Sequence, residues 1–394
     1  MKSKLIDISK NNALRFTILL GIVSLFADIT YEGARSINGQ YLAMLGASAP
    51  VVGVVAGFGE LIGYTLRLVS GYLADKTKEY WLITIIGYSV NLFAVPLLAL
   101  AGHWQIAAVL MVIERFGKSI RTPARDLMLS HATSKIGRGL GFGLHEALDQ
   151  VGAVSGPLIV ALVLYFKGGY QNCFSLLMVP AILALITLFI AKSTYPNPRN
   201  FETEELKSET KIFSKTFWIY IIAVSLVAVG YADFALIAFH FKKVSIVSDN
   251  WIPAFYAIAM CVDAISALFF GYLFDKKGIG ILVIAVFSSL LFAPLVFFGG
   301  FNLALVGMIL WGVGMGAQES IMRAAISSMV NINSRGFAYG IFNTIYGVSW
   351  FLGSALMGIL YDISILYLVF FSLIMQFISI PLLLLARRKL AFNG

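Results

Sequence analysis

Apolar residues run through this chain in long blocks, interrupted at short intervals by glycine, proline or charge. A helix that crosses a bilayer needs about 20 mainly apolar residues. Twelve stretches meet that length: 15–45, 50–74, 80–101, 104–130, 139–166, 171–192, 216–241, 250–274, 279–299, 302–329, 336–361 and 363–386. They leave no room for a separate soluble domain. The pattern predicts an all-α membrane protein with twelve transmembrane helices.

The pattern also repeats, as it does in many transporter folds. Phe26-Ala27-Asp28 returns as Tyr231-Ala232-Asp233, and Gly71-Tyr72-Leu73-Ala74-Asp75-Lys76 as Gly271-Tyr272-Leu273-Phe274-Asp275-Lys276. Leu92-Phe93-Ala94 returns as Leu291-Phe292-Ala293, and Arg138-Gly139 with Gly143 and Gly156 as Arg335-Gly336 with Gly340 and Gly353. Anchors in one order predict two pseudo-symmetric six-helix bundles, 1–192 and 216–394. Between them, 193–215 carries Pro196, Pro198 and the mixed-charge run ETEELKSETK, too polar for lipid. It is expected to be a cytoplasmic linker with room for a short surface helix.

Composition agrees: 59% of the 394 residues are hydrophobic and 12% are charged. The net charge of +9 would suit nucleic acid, but its placement argues otherwise. Lys and Arg gather in the N-terminal arm, at Lys76, Lys78, Lys118, Arg121, Arg125, Lys135, Arg138, in the linker, and at Lys276, Lys277, Arg323, Arg335 and Arg387 to Lys389. Lys167, Lys242 and Lys243 fall on the opposite side. That asymmetry is the positive-inside rule, and it predicts a multi-pass protein of the cell membrane with both termini in the cytoplasm. Nucleic acid is not an expected partner. Lys2, Lys4 and Lys10 before an apolar run imitate a signal peptide, but the run is too long and passes through Asp28, Glu32 and Arg35 without a cleavage pattern. Cys173 and Cys261 match no metal or redox spacing and are expected to pack; no metal site is expected.

GYLADK after the second stretch and GYLFDKKG after the eighth resemble the cytoplasmic loop motif of the major facilitator superfamily. After Lys76 the first copy departs from it, with Lys78, Glu79 and Tyr80 where the family has Gly and two basic residues. In the fifth stretch, RGLGFGLHEALDQVGAVSGP is similar to the superfamily's G-x8-G-x3-G-P motif at Gly143, Gly152, Gly156 and Pro157, with Val160 and Ala161 in place of its terminal glycine pair. The resemblance covers nearly the whole chain and implies the major facilitator fold. The fifth-helix motif is associated with antiporters, especially proton-coupled drug and metabolite exporters. Gly71, Asp75, Lys76, Gly271, Asp275 and Lys276 would then gate the cytoplasmic side, each aspartate facing the N-terminus of a helix, near 334–336 or 137–139. Gly143, Gly152 and Gly156 would let another helix approach closely, and Pro157 would favour a bend.

Charge inside the apolar stretches marks the candidate chemistry, since an ionised side chain at the bilayer centre costs about 2.5–3.5 kcal/mol on insertion scales. Asp28, Glu32 and Arg35 share one helical face. Asp28 has no cation three or four residues away, so it is the better proton carrier, whereas Glu32 and Arg35 are spaced for a structural ion pair. Glu60 and Arg67 lie on one face with Tyr64, a spacing that suits structural pairing to the first or fourth helix. Glu114, Lys118, Arg121 and Arg125 form a ladder down the fourth stretch. For Arg125 the ordinary role of a positive helix end is favoured. Arg115 sits where the resemblance places the superfamily's fourth-helix arginine, linked to proton coupling. His145 and Asp149 are one turn apart, and histidine beside a carboxylate suits a proton relay, although a lone histidine in an apolar helix is more often a packing residue.

The second half is a built-in control. There Gly312, Met315, Gln318, Asn343 and Tyr346 stand where the first half has Arg115, Lys118, Arg121, Glu146 and Asp149. The scaffold therefore does not need those charges. Proton coupling is expected in the first half, at Asp28, Glu32, Arg35, Glu60, Glu114, Arg115, His145 and Asp149. Substrate contacts are expected at Tyr31, Arg121, Asp233, Asp263, Gln318, Glu319, Asn343, Tyr346 and Trp350, with lipid-facing or packing roles open for the aromatics. The pair Asp28 and Asp233 suits either two proton sites or one cation site.

The expected function is secondary active transport by alternating access, driven by the proton gradient without a cofactor, exporting a small organic molecule as a monomer. Uptake or exchange of an anionic metabolite, motivated by Lys118, Arg121 and Arg35, is the alternative. A non-transporting receptor lacks the long loops or tails that it needs. A membrane enzyme lacks a nucleophile beside His145 and Asp149, so no enzymatic activity is expected.

Overall fold

The computed structural model describes residues 2–196, 213–330 and 334–393, apart from the side chains of 2–10, 134–136, 138–140, 328 and 389–393. The expected linker lies mostly at 197–212, outside the described residues. Helices follow one another as α1 (Lys2–Met44), α2 (Ala49–Thr77), α3 (Tyr80–Leu97), α4 (Trp104–Ile136) and α5 (Arg138–Tyr165). Next come α6 (Gly169–Leu176), α7 (Met178–Thr194), α8 (Lys215–Gly230), α9 (Phe234–Val244) and α10 (Trp251–Lys277). The last are α11 (Gly280–Ser289), α12 (Phe292–Phe298), α13 (Phe301–Met329), α14 (Arg335–Ile363) and α15 (Ile365–Asn393).

Eleven described spans are long and apolar enough to cross a membrane, with the pairs α6–α7, α8–α9 and α11–α12 each making one. The predicted stretch 104–130 is α4, a continuous helix of 33 residues whose charges set it apart from those eleven. Large apolar side chains such as Leu100, Phe166 and Leu268 are more than three-quarters exposed, as an exterior facing lipid requires.

The chain divides into two compact units, 1–35 with 66–205, and 36–65 with 206–394. In the first unit α5 lies close on α1: a Cβ at Gly152 would stand 2.5 Å from the Leu25 carbonyl, and one at Gly156 2.5 Å from the Ile29 carbonyl. Two backbones can approach that far only where the side chain is a hydrogen. Gly143 does not share this role, because a Cβ there meets nothing within 4 Å. Pro157 does not interrupt α5 either, and the helix runs on to Tyr165. α3 meets α4 in the same way, with Gly87 against the backbone of Arg121 and Gly117 against that of Asn91.

The second unit repeats the device with other glycines. Gly353 of α14 abuts the backbone of Val229 in α8, and Gly312 and Gly316 of α13 abut the carbonyls of Ala259 and Asp263 in α10. This unit also takes in the end of α1 and the start of α2, where Gly39 meets Ala235, Gly53 meets Ser354 and Gly57 meets Phe351. One feature has no counterpart in the first unit. Where α1 runs unbroken through Asp28, the equivalent span breaks at Tyr231–Asp233, and Asp233 caps α9 by accepting from Ala235 N at 2.9 Å.

Of the two cysteines, Cys173 is buried as expected, whereas Cys261 is exposed and does not pack inside the unit.

A buried charge cluster and an aromatic polar core

In the first unit, α1, α3, α4 and α5 bring together most of the charges that the sequence singles out. Asp28, Glu32 and Arg35 come from one face of α1, Lys118, Arg121 and Arg125 from α4, and His145 and Asp149 from α5. Glu32 is the hub, with Oε1 at 3.8 Å from Arg35 Nη1 and 3.9 Å from Lys118 Nζ. Lys118 Nζ also stands 3.8 Å from the ring centroid of Tyr31. Arg121, 1% exposed, lays its guanidinium 4.2 Å from the Tyr88 ring and 5.6 Å from that of Tyr31. Its Nε and Nη1 have no hydrogen-bond partner.

Deeper along α4, Arg125 donates to Ser24 Oγ at 2.9 Å and to Asp126 Oδ1 at 2.9 and 2.8 Å. It is a partly buried member of the network, not the solvated helix-end charge that the sequence favoured, because α1 lays Ser24 against it. Ser24 Oγ lies 3.3 Å from His145 Nε2 and 3.4 Å from Tyr88 Oη. His145 Nε2 is 3.7 Å from Asp149 Oδ2, so the predicted one-turn pair is formed. Glu114 accepts from Asn91 Nδ2 at 2.7 Å and lies 3.4 Å from Arg115 Nε. Glu146, the third charge of the fifth stretch, is exposed and accepts from Gln150 on its own helix.

Asp28 differs from the other acids. It is 5% exposed, its Oδ1 has no hydrogen-bond partner, and among the described residues no cation lies within 4.0 Å. Asp149 Oδ1 is also without a hydrogen-bond partner. Glu60, expected beside these groups, belongs to the second unit and feels Tyr346 there. Ser24, Tyr88 and Asn91 are the members that sequence reading missed. Each is a neutral polar side chain in an apolar stretch, a weaker signal than charge.

The second unit holds an aromatic polar core. Tyr346 Oη donates to Gln318 Oε1 at 2.8 Å, and the Tyr346 ring lies 5.8 Å from that of Trp350 and 5.4 Å from that of Tyr64. Trp350 Nε1 donates to Asp233 Oδ2 at 3.4 Å, and Trp311 Nε1 to the Ala232 carbonyl at 2.9 Å. Tyr231 Oη donates to the Trp311 carbonyl. Asp263 is 2% exposed, Asn343 is half-buried with Oδ1 unpartnered, and Glu319 is exposed. Tyr346 and Trp350 are thus core residues and do not face lipid. The predicted symmetry of Asp28 and Asp233 does not extend to their roles, because Asp233 spends both oxygens on a helix cap and an indole.

At the loop motifs, Asp75, Lys76, Asp275 and Lys276 are exposed at helix ends. Lys276 bonds to the Tyr272 hydroxyl, and Lys76 stands 5.8 Å from the Tyr72 ring. Gly278 closes α10 at φ +65°, and Lys78, its repeat equivalent, also has a positive φ, +59°. A positive φ strains a side chain, a cost that glycine avoids at 278 and that Lys78 bears.

A helical membrane chain with an internal repeat and charge buried inside its spans is of the class to which secondary transporters belong. A family model described as Major Facilitator Superfamily matches residues 13–354 and 251–391, and the chain belongs to that superfamily. An uncharacterized protein of Mycobacterium tuberculosis (strain ATCC 25618 / H37Rv) is 38% identical over 383 residues, covering 95% of this chain and 94% of that protein. An uncharacterized MFS-type transporter of Methanocaldococcus jannaschii is 29% identical over 378 residues, covering 91% and 90%. Among solved structures, a bacterial homolog of the human lysosomal transporter Spinster, inward-facing and unoccupied, superposes with TM-score 0.76 at 15% identity over 97% of this chain and 98% of that one. The nucleoside transporter NupG gives 0.73 at 15% identity over 95% and 98%. At such identities the likeness shows the fold alone.

Proposed function

We propose that this chain is a proton-coupled secondary active transporter of a small organic molecule, seated in the cell membrane with both termini in the cytoplasm, and that Asp28 and Asp149 carry the coupled protons. The observation that supports this is the state of Asp28, a buried carboxyl with one oxygen that meets no donor. Glu32 and Glu114 are held by cations, so changing their charge breaks an ion pair. Asp28 can change its charge without doing so. Asp149 stands beside His145, a side chain suited to exchanging protons. Alternating access then exposes these carboxyls to one side of the membrane and afterwards to the other.

The proton gradient drives the cycle, with no cofactor. Gln318, Asn343, Tyr346 and Trp350 offer the polar and aromatic groups that solute sites use. The loop motifs at 71–76 and 271–276 act as cytoplasmic gates, and the monomer is the working unit. Export rests on the fifth-helix motif; in this structure Gly152 and Gly156 serve the packing of α5 on α1.

The test is full-length protein in proteoliposomes loaded with a pH dye, challenged with a panel of solutes. At least one solute should accumulate uphill and move protons, and an uncoupler should abolish both. Asp28→Asn and Asp149→Asn should lose uphill accumulation yet keep counterflow of that solute. Unchanged uphill transport in both variants removes them from the mechanism. The sign of the proton movement separates export from uptake.

A further inference from the structure

Among the described buried and half-buried cations of α1 and α4, Arg35 and Lys118 share Glu32, Arg115 has Glu114, and Arg125 has Asp126 and Ser24. Arg121 is the exception. It is 1% exposed, and among the described residues no carboxylate oxygen lies within 4.0 Å of it. Leaving a guanidinium buried without an acceptor is costly, so the arrangement calls for an explanation.

The fold places Arg121 deliberately. At Gly87 a Cβ would come within 2.6 Å of Arg121 N and 2.7 Å of its Cβ, so α3 and α4 touch at that residue. Tyr88, next to Gly87, then supplies the ring against the guanidinium at 4.2 Å, and Tyr31 of α1 supplies a second at 5.6 Å. An aromatic ring engages the face of a guanidinium. Its N–H donors lie in the plane, and two of its nitrogens, Nε and Nη1, remain free to receive an acceptor. Lys118 converges on the same Tyr31 ring at 3.8 Å, adding a second cation.

We propose that Arg121, with Lys118 beside it, binds the oxyanion of the transported solute, a carboxylate or a phosphate, and that this solute is loaded together with a proton on Asp28. The proton half rests on the proton-coupled reading above. Asp28 is faced by Tyr31 and Glu32 from α1, Lys118 and Arg121 from α4, and Asp149 from α5. Arg121 is faced by Tyr88 from α3, Arg125 from α4, and Tyr31 and Asp28 from α1. An ionised Asp28 competes with a solute oxyanion for these cations, and a protonated one does not. Proton and solute therefore bind together and travel in the same direction, which under an inward proton gradient is uptake of an anionic solute and replaces export.

Thermal shift on purified full-length protein tests this, with succinate, inorganic phosphate and sulfate as oxyanion probes, and uridine and tetraphenylphosphonium as neutral and cationic controls. Sulfate keeps its charge between about pH 5.5 and about pH 7.5, so it isolates the titration of the protein from that of the probe. At least one oxyanion should raise Tm, more at the lower pH, and its apparent Kd should weaken about tenfold or more in Arg121→Gln. Arg121→Lys, which keeps the charge, should retain part of the effect and guards against a variant that simply misfolds. Whether succinate or phosphate is preferred identifies the head group.

The oxyanion site is overturned if wild type and Arg121→Gln are stabilised alike, if no oxyanion raises Tm, or if only the controls do. Oxyanion stabilisation that depends on Arg121 but not on pH supports the site and overturns the proton-coupled reading. Solute-driven proton movement lost in Asp28→Asn, with no oxyanion binding, supports the coupling and overturns the site.

Discussion

Asp28 and Asp233 occupy equivalent positions in the internal repeat and have diverged in what their oxygens do. Asp28 keeps one oxygen without a partner in a field of mixed charge, whereas Asp233 ends a break in its helix and holds an indole. Asp28→Asn is therefore expected to leave the fold intact and remove proton-driven accumulation. Asp233→Ala should instead lose about 1 kcal/mol from the cap alone, with a lower Tm as the readout. Equal thermal stability of Asp233→Ala and wild type would show that the cap is dispensable. From the letters alone Asp28 reads as a proton carrier and Asp233 as a substrate contact, with the pair also suited to one cation site, because charge and position are all that can be read there. Nothing in the letters distinguishes a helix that continues through Tyr-Ala-Asp from one that breaks there.

At the scale of elements, small residues decide where helices meet. Gly152 and Gly156 bring α5 onto α1 beside Asp28, and Gly87 brings α3 onto α4 beside Arg121, so each close approach carries a functional side chain with it. Gly156→Val is expected to force α5 away from Ile29 and Gly33, at a cost of about 1–3 kcal/mol. Gly143→Ala, in open space, should change stability by less than about 0.5 kcal/mol. Comparing Tm for the two variants checks this, and equal losses would count against the packing role of Gly156. The glycine spacing was visible in the sequence, but which glycines touch a partner was not. Contact depends on the rotation of α5 about its own axis, which packing sets.

Across the whole molecule, the distribution of Lys and Arg predicts that the C-terminus is cytoplasmic. A C-terminal green fluorescent protein fusion should be bright, and an alkaline phosphatase fusion inactive; the opposite pair of results reverses the topology. The compact units do not coincide with the repeat halves, because residues 36–65 pack through Gly39, Gly53 and Gly57 with 206–394. Long helices allow this: one end of α1 packs in one unit and the other end in the other, a division that no local sequence signal marks.

By itself, the sequence determined the membrane-spanning class, the twelve stretches, the superfamily and the half of the chain that carries the charges. Each follows from properties local to the chain: apolar length, recurrent motifs, and the cost of charge in lipid. The tertiary structure alone decided which charges are satisfied. Glu32, Glu114 and Arg125 have partners on neighbouring helices, while Asp28 and Arg121 retain atoms without one. Pairing across helices is set by axial rotation and close approach at a few glycines, and these are properties of several helices at once.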